Sequence, residues 1–282
     1  MKLCAAIRPL PGEDWAAFAR RASGLGFRGV SLAFDPHWDA GQLVEMREAF
    51  DRHGLEVAEL ACECNFLTPS EAANRQNFAL LGQAMRAGAI LNCDHVTTHA
   101  GSRIPDQPLA PHPDNWADAT WDLLVNRVWA LLDEVEDLGV RLCFEPHPAT
   151  TLNTLDGLAG LVADATSLRV RVALDPAALF TPEAAAEPGR ALAEIFATLA
   201  DAIALARATD VRLITTGGEP LAEPAPLGQG VLDYPTYLRL LDALELDTPL
   251  VVPLQASDAA YRAALAFIRH PPAPSVPPTR PR

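Results

Sequence analysis

Residues 140–148 read VRLCFEPHP. An apolar run stops abruptly at Glu145 and gives way to Pro146, His147 and Pro148. A short apolar run bounded by prolines reads as a buried strand. A carboxylate at the end of such a strand needs a partner, because an unpaired charge is costly away from water. Upstream, Leu124, Val128, Leu131 and Val135 recur at the spacing of one helix face. Gly139 lies between that helix and the strand, where a glycine can adopt the left-handed cap.

The same unit repeats in both directions. Strand-like runs fall at residues 3–7, 27–34, 55–62, 94–99, 140–145, 168–175, 210–214 and 249–254. Helical periodicity lies between them, as in Leu43, Met46 and Phe50, in Phe78, Leu81 and Met85, in Ile195, Leu199 and Ile203, and in Tyr261, Leu265 and Ile268. Strands alternating with helices imply a parallel sheet. Eight such units without a linker imply a closed α/β fold, the (β/α)8 TIM barrel, as one domain over residues 1–268. No Gly-x-Gly-x-x-Gly follows the first strand, so a dinucleotide fold has no support. The segment 269–282 is rich in proline and is expected to be a disordered tail.

Composition narrows the partners. The formal charge is -14, which argues against a nucleic-acid or anionic-membrane surface. No apolar run approaches the length of a membrane span, and the N-terminal apolar run is too short for a signal peptide. The five cysteines, Cys4, Cys62, Cys64, Cys93 and Cys143, show no zinc-site spacing and read as buried thiols, which implies a cytoplasmic protein.

In a barrel, ligands gather at the carboxyl ends of the strands. The period of two places His95, Thr97 and His99 on one face, Arg141, Cys143 and Glu145 on another, and Arg171, Ala173 and Asp175 on a third. The stretch at 210–214 adds Arg212. His99, Glu145 and Asp175 are then expected at the top of the barrel, with Arg212 within reach. Converging carboxylates need a cation or a shared proton, which a metal or a guanidinium can supply. Glu59 lines the interior or pairs with an interior arginine, and His37 and His112 read as loop residues.

Several motifs together resemble the xylose-isomerase-like TIM barrels, a superfamily of sugar and sugar-phosphate isomerases and epimerases. They are GFRGVSL at 26–32, THAG at 98–101, CFEPHP at 143–148, VALDP at 172–176 and PLGQGVLDYPTYLRLLDAL at 226–244. The resemblance implies a divalent metal (manganese, magnesium, cobalt or zinc) held by a Glu after strand five, an Asp after strand six, a His on strand seven and a Glu on strand eight. The first two correspond to Glu145 and Asp175. The family's His, often followed by Lys-Asp, falls near Arg212, its strand-eight Glu near Pro253, and a further His at Ala178. The resemblance also implies proton transfer next to a carbonyl or hydroxyl carbon; in this chain the expected substitutes are Glu145 or Asp175 as base and His99 or His147 as acid or substrate contact. Arg212 then stands in for the metal, and no tightly bound metal is expected. The expected ligand is a small sugar, sugar phosphate or polyol, and homo-oligomers are common among such barrels. The alternative is an inert barrel that only binds a small molecule or a protein.

Overall fold

The computed structural model describes residues 1–217, 219–244 and 247–272. Ten strands and ten α-helices occur among them. In chain order they are β1 (Lys2–Ala6), α1 (Trp15–Leu25), β2 (Gly29–Ala33), α2 (Ala40–Arg52), β3 (Glu56–Ala61), α3 (Glu71–Ile90), β4 (His95–Thr98), α4 (Asp118–Glu134), β5 (Arg141–Phe144) and α5 (Leu155–Ala165). There follow β6 (Val170–Leu174), the short α6 (Pro176–Leu179) and α7 (Pro182–Ala186), then α8 (Pro188–Leu199), β7 (Ile203–Arg207), β8 (Asp210–Thr216), β9 (Glu219–Ala225), α9 (Tyr234–Asp242), β10 (Pro249–Val252) and α10 (Asp258–Arg269).

Eight strands close a parallel barrel in the order β1-β10-β7-β6-β5-β4-β3-β2. β1 pairs with β2 on one side and β10 on the other, which completes the ring. Local sequence starts the helices: the side chains of Asp14, Ser70, Thr154 and Ser257 accept backbone N–H groups at the starts of α1, α3, α5 and α10. Asp39 and Gln42 form a reciprocal capping box on α2. Gly26 ends α1 at φ 104°, a conformation open to glycine at no steric cost.

The core has two parts. The larger lies between strands and helices and includes Phe18, Phe50, Met85, Leu142 and Val252. The smaller fills the barrel itself with Cys4, Ala58, Cys143, Ala173, Leu205 and Val251. Cys143 and Ala173 are the middle inward residues of β5 and β6, so Glu145 and Asp175, two residues on, face the same way at the carboxyl end. All five cysteines are free and buried. No described helix is long and apolar enough to cross a membrane.

One strand is not where periodicity put it. The seventh barrel strand is Ile203–Arg207, and the 210–214 run belongs to β8, which pairs antiparallel with β9 as a separate two-stranded sheet. Ile203 continues the spacing of Ile195 and Leu199, so IALAR reads as helix. In fact α8 stops at Leu199 and a single 3-10 turn, Ala200–Ala202, leads into the strand. DVRLITT is extended, but only its first two residues are buried. Arg212 therefore points away from the barrel mouth and pairs with Glu223 on β9. The expected tail, 269–282, lies mostly outside the described residues; Arg269 is the last residue of α10.

Candidate active site

Four neighbouring regions of the barrel supply the charged groups, one from within a strand and three from strand ends. Glu59 comes from β3, Glu145 follows β5, Asp175 follows β6, and Arg207 ends β7. With Ser31, Glu63, Thr97, His99, Thr209 and Pro253 they line a cavity of about 260 Å³ at the carboxyl end of the barrel.

Arg207 ties the site together. Its Nε donates to Glu145 Oε2 at 3.0 Å, and Nη2 donates to the same oxygen. Nη1 donates to Glu59 Oε1, which also accepts from the Ser31 hydroxyl. The pairing of Glu59 with an interior arginine, one of the two readings of that residue, is thus realised. Glu59 has no solvent exposure, and Arg207 only 12%. Burial alone would lift the Glu59 pKa. Arg207 beside it, helped by Ser31 and Thr97, outweighs burial and holds it below the usual carboxylate range. Burial works against the charge on Arg207 too, and the two glutamates overcome it, raising its pKa further. Glu59 Oε2 nevertheless has no hydrogen-bond partner.

Asp175 differs. It caps α6, accepting the Ala177 N–H at 3.0 Å on Oδ1, and the Thr209 hydroxyl donates to the same oxygen. Burial, and next the negative charge of Glu145, push its pKa up to about 6, against the opposing pull of those two bonds and of Arg207. Asp175 is therefore the carboxyl group here whose protonation changes near neutrality.

The histidines are fixed in complementary tautomers. His99 Nδ1 faces the Glu145 carbonyl at 3.1 Å. A carbonyl only accepts, so the proton sits on Nδ1 and a neutral His99 leaves Nε2 as an acceptor. His147 Nδ1 accepts the Ala149 N–H at 3.2 Å, so its neutral ring carries the proton on Nε2. The two rings meet edge to face at 5.7 Å. Burial, and next His99, lower the His147 pKa. His147 packs behind His99 and is not part of the cavity wall.

Tyrosines anchor the strand ends beneath these groups. Tyr237 donates to the Arg207 carbonyl at 3.0 Å, Tyr234 to the Thr209 carbonyl at 2.6 Å, and Tyr261 to the Ala6 carbonyl at 2.5 Å. Asp210 holds the loop after β9: its carboxylate accepts the N–H groups of Val211, Gly228, Gly230 and Leu232 at 2.8–3.1 Å. A β-carbon at Gly230 would collide with the Val211 carbonyl and the Asp210 carboxylate, so the loop closes only around glycine.

The structure thus brings together Glu145, Asp175 and His99, sets His147 behind them, and leaves Arg212 outside. Arg207 was missed with its strand. A signal was present: the apolar run at 203–206 stops at a charged residue, Arg207, as the runs before Glu145 and Asp175 stop at theirs. Among the described residues, no group of three or more His, Cys, Asp or Glu side chains is arranged to hold a metal ion.

The chain belongs to the Xylose isomerase-like TIM barrel family, whose sequence profile matches residues 19–270. No curated protein sequence matches it significantly. Its fold is similar to that of D-psicose 3-epimerase with D-tagatose from Clostridium cellulolyticum H10, at 14% identity and TM-score 0.72, covering 96% of this chain and 99% of the other. It is similar to 3-keto-D-glucoside 4-epimerase YcjR from E. coli, at 18% identity and TM-score 0.71, over 95% and 99%. A Xylose isomerase-like TIM barrel protein from Mycobacterium smegmatis in complex with magnesium matches at 18% identity and TM-score 0.67, over 90% and 86%.

Proposed function

We propose that this protein binds a small carbohydrate or polyol at the carboxyl end of its barrel and moves a proton on it, as an isomerase or epimerase would, without a divalent metal. The observation that carries this reading is Asp175: a carboxyl group on the cavity wall, with a pKa lifted to about 6. A general acid or base works best when its pKa lies near the operating pH. In this reading Asp175 takes or returns the proton, and His99, on the far side of Glu145, serves through Nε2 as the second proton carrier or as a contact to a substrate hydroxyl. The epimerases with similar folds support a carbohydrate as the ligand.

The donor set supports the absence of metal chemistry. A divalent cation would need oxygen or imidazole donors. Of the four ligands that the family resemblance implies, the chain offers Glu145 and Asp175; strand seven of the barrel ends in Arg207, and Pro253 follows strand eight. The guanidinium has no lone pair to give a metal, and it already takes up Glu145 Oε2. Arg207 offsets part of the carboxylate charge that a metal would otherwise meet.

The inert barrel remains the second reading, favoured by one observation: Arg207 ion-pairs with both Glu145 and Glu59. Incubation with a panel of aldoses, ketoses and polyols in D2O, followed by proton NMR, separates the readings. Solvent deuterium should enter the carbon next to the carbonyl in the presence of chelator, and Asp175→Asn should abolish this. Exchange that stops on chelation would refute the metal-free reading. Ligand binding without exchange would establish the inert barrel.

A further inference from the structure

The cavity is rich in hydrogen-bond acceptors and short of donors. Its wall carries four carboxylates, Glu59, Glu63, Glu145 and Asp175, against the single guanidinium of Arg207. Its donors are already committed, the Thr97 hydroxyl beside Glu59 among them. Arg207 donates to Glu145 Oε2 and Glu59 Oε1, Ser31 to Glu59, Thr209 to Asp175, and Thr98 to the His99 carbonyl. His99 directs its Nδ1 proton to the Glu145 carbonyl. The bonds received by the Glu145 carboxylate fall on Oε2 and those received by Asp175 on Oδ1, so Glu145 Oε1 and Asp175 Oδ2 are left to a ligand.

Glu59 Oε2 is the decisive atom. It sits on a side chain with no solvent exposure, in the cavity wall, and has no hydrogen-bond partner. Leaving a buried polar oxygen unbonded costs on the order of 1–3 kcal/mol, and more for a charged group. A ligand that brings a donor to that oxygen recovers this.

We infer that the ligand is an amino sugar or amino polyol, whose ammonium group is received by Glu59 Oε2 and whose hydroxyls are received by the carboxylate oxygens of Glu145 and Asp175 that Arg207 and Thr209 leave open. This inference rests on the carbohydrate reading above and narrows it. An ammonium has three N–H donors and no acceptor, which is what the wall lacks. Its charge offsets the surplus of carboxylates; at an effective dielectric of 20, unit charges 4 Å apart attract by about 4 kcal/mol. A phosphorylated sugar brings further acceptors and negative charge into the same space and is repelled. A neutral sugar supplies hydroxyl donors but leaves the charge surplus in place.

Calorimetric titration of the full chain at low salt and about neutral pH tests this with matched probes: D-glucose, D-glucosamine and D-glucose 6-phosphate, and the fragments glycerol and 2-amino-1,3-propanediol. Each amine should bind at least roughly tenfold tighter than its hydroxyl counterpart, and the phosphate should not bind. Glu59→Gln should remove most of the preference. Where that variant does not fold, Glu63→Gln, at an exposed position, should reduce it, and added salt should weaken it further. Glucose bound as tightly as glucosamine overturns the inference and leaves the carbohydrate reading intact. Binding of 2-amino-1,3-propanediol with neither glucose nor glucosamine bound overturns the carbohydrate reading and keeps the ammonium site. Preference for the phosphate, or no binding by either amine, overturns the inference.

Discussion

Arg207 and Asp175 solve opposite problems on neighbouring strands. Arg207 is a permanent cation between two carboxylates, and breaking a buried pair from one side strands the charges left behind. Arg207→Ala should cost about 3–5 kcal/mol in denaturant unfolding, nearer the lower figure because water reaches the cavity. Adding Glu59→Gln should recover part of it, since residues in one network do not act additively. Asp175 is strained instead. Its folded pKa, about 6, lies above the ordinary value of about 3.9. A raised pKa contributes stability that is fully present below the unfolded value and lost as pH rises through the folded one. Asp175→Asn keeps an oxygen for Ala177 and Thr209 while removing the charge. It should therefore stabilise the protein by about 1–3 kcal/mol at pH 8 and by almost nothing near pH 4. Thermal melts across that range would check this, and an equal effect at both ends would contradict it. The sequence located Glu145, Asp175 and His99 because strand periodicity fixes which residues share a face. It did not locate Arg207, because that depends on knowing where a helix ends.

Elements decide that last point. Seven of the eight barrel strands lie where their apolar runs placed them. The seventh was hidden by its own composition: Ala204, Leu205 and Ala206 are good helix formers, and Ile203 falls in step with α8. The β8–β9 hairpin then presented a more strand-like run a few residues later. What tells the two apart is Asp210, whose carboxylate gathers four N–H groups from β8 and the loop before α9. A buried carboxylate bonded to that many amides is a structural centre and marks the end of the barrel strand. Asp210→Ala should leave those donors without an acceptor and cost about 3 kcal/mol or more. Hydrogen exchange should show the amides of Gly228, Gly230 and Leu232 opening well before those of β6 and β10. If the loop amides remain as protected as the barrel strands, the carboxylate is not what holds them.

Across the whole molecule the two ends of the barrel are built differently. The amino end mixes Lys2, His95 and Arg141 with Glu56, Asp94 and Asp247, while the carboxyl end concentrates acids around one guanidinium. A thin layer of alanine, cysteine, leucine and valine side chains separates them. The chain has three tyrosines, and all three use their phenols to latch strand-end carbonyls at or beside the carboxyl mouth. Burial pushes the Tyr234 and Tyr237 phenols well above their ordinary pKa. A phenolate cannot donate, so ionising either one unlatches the backbone that carries Arg207 or Thr209. The ultraviolet band of tyrosinate is thus an optical gauge built into the face that receives the ligand, and its appearance in alkali and the loosening of that face are a single event.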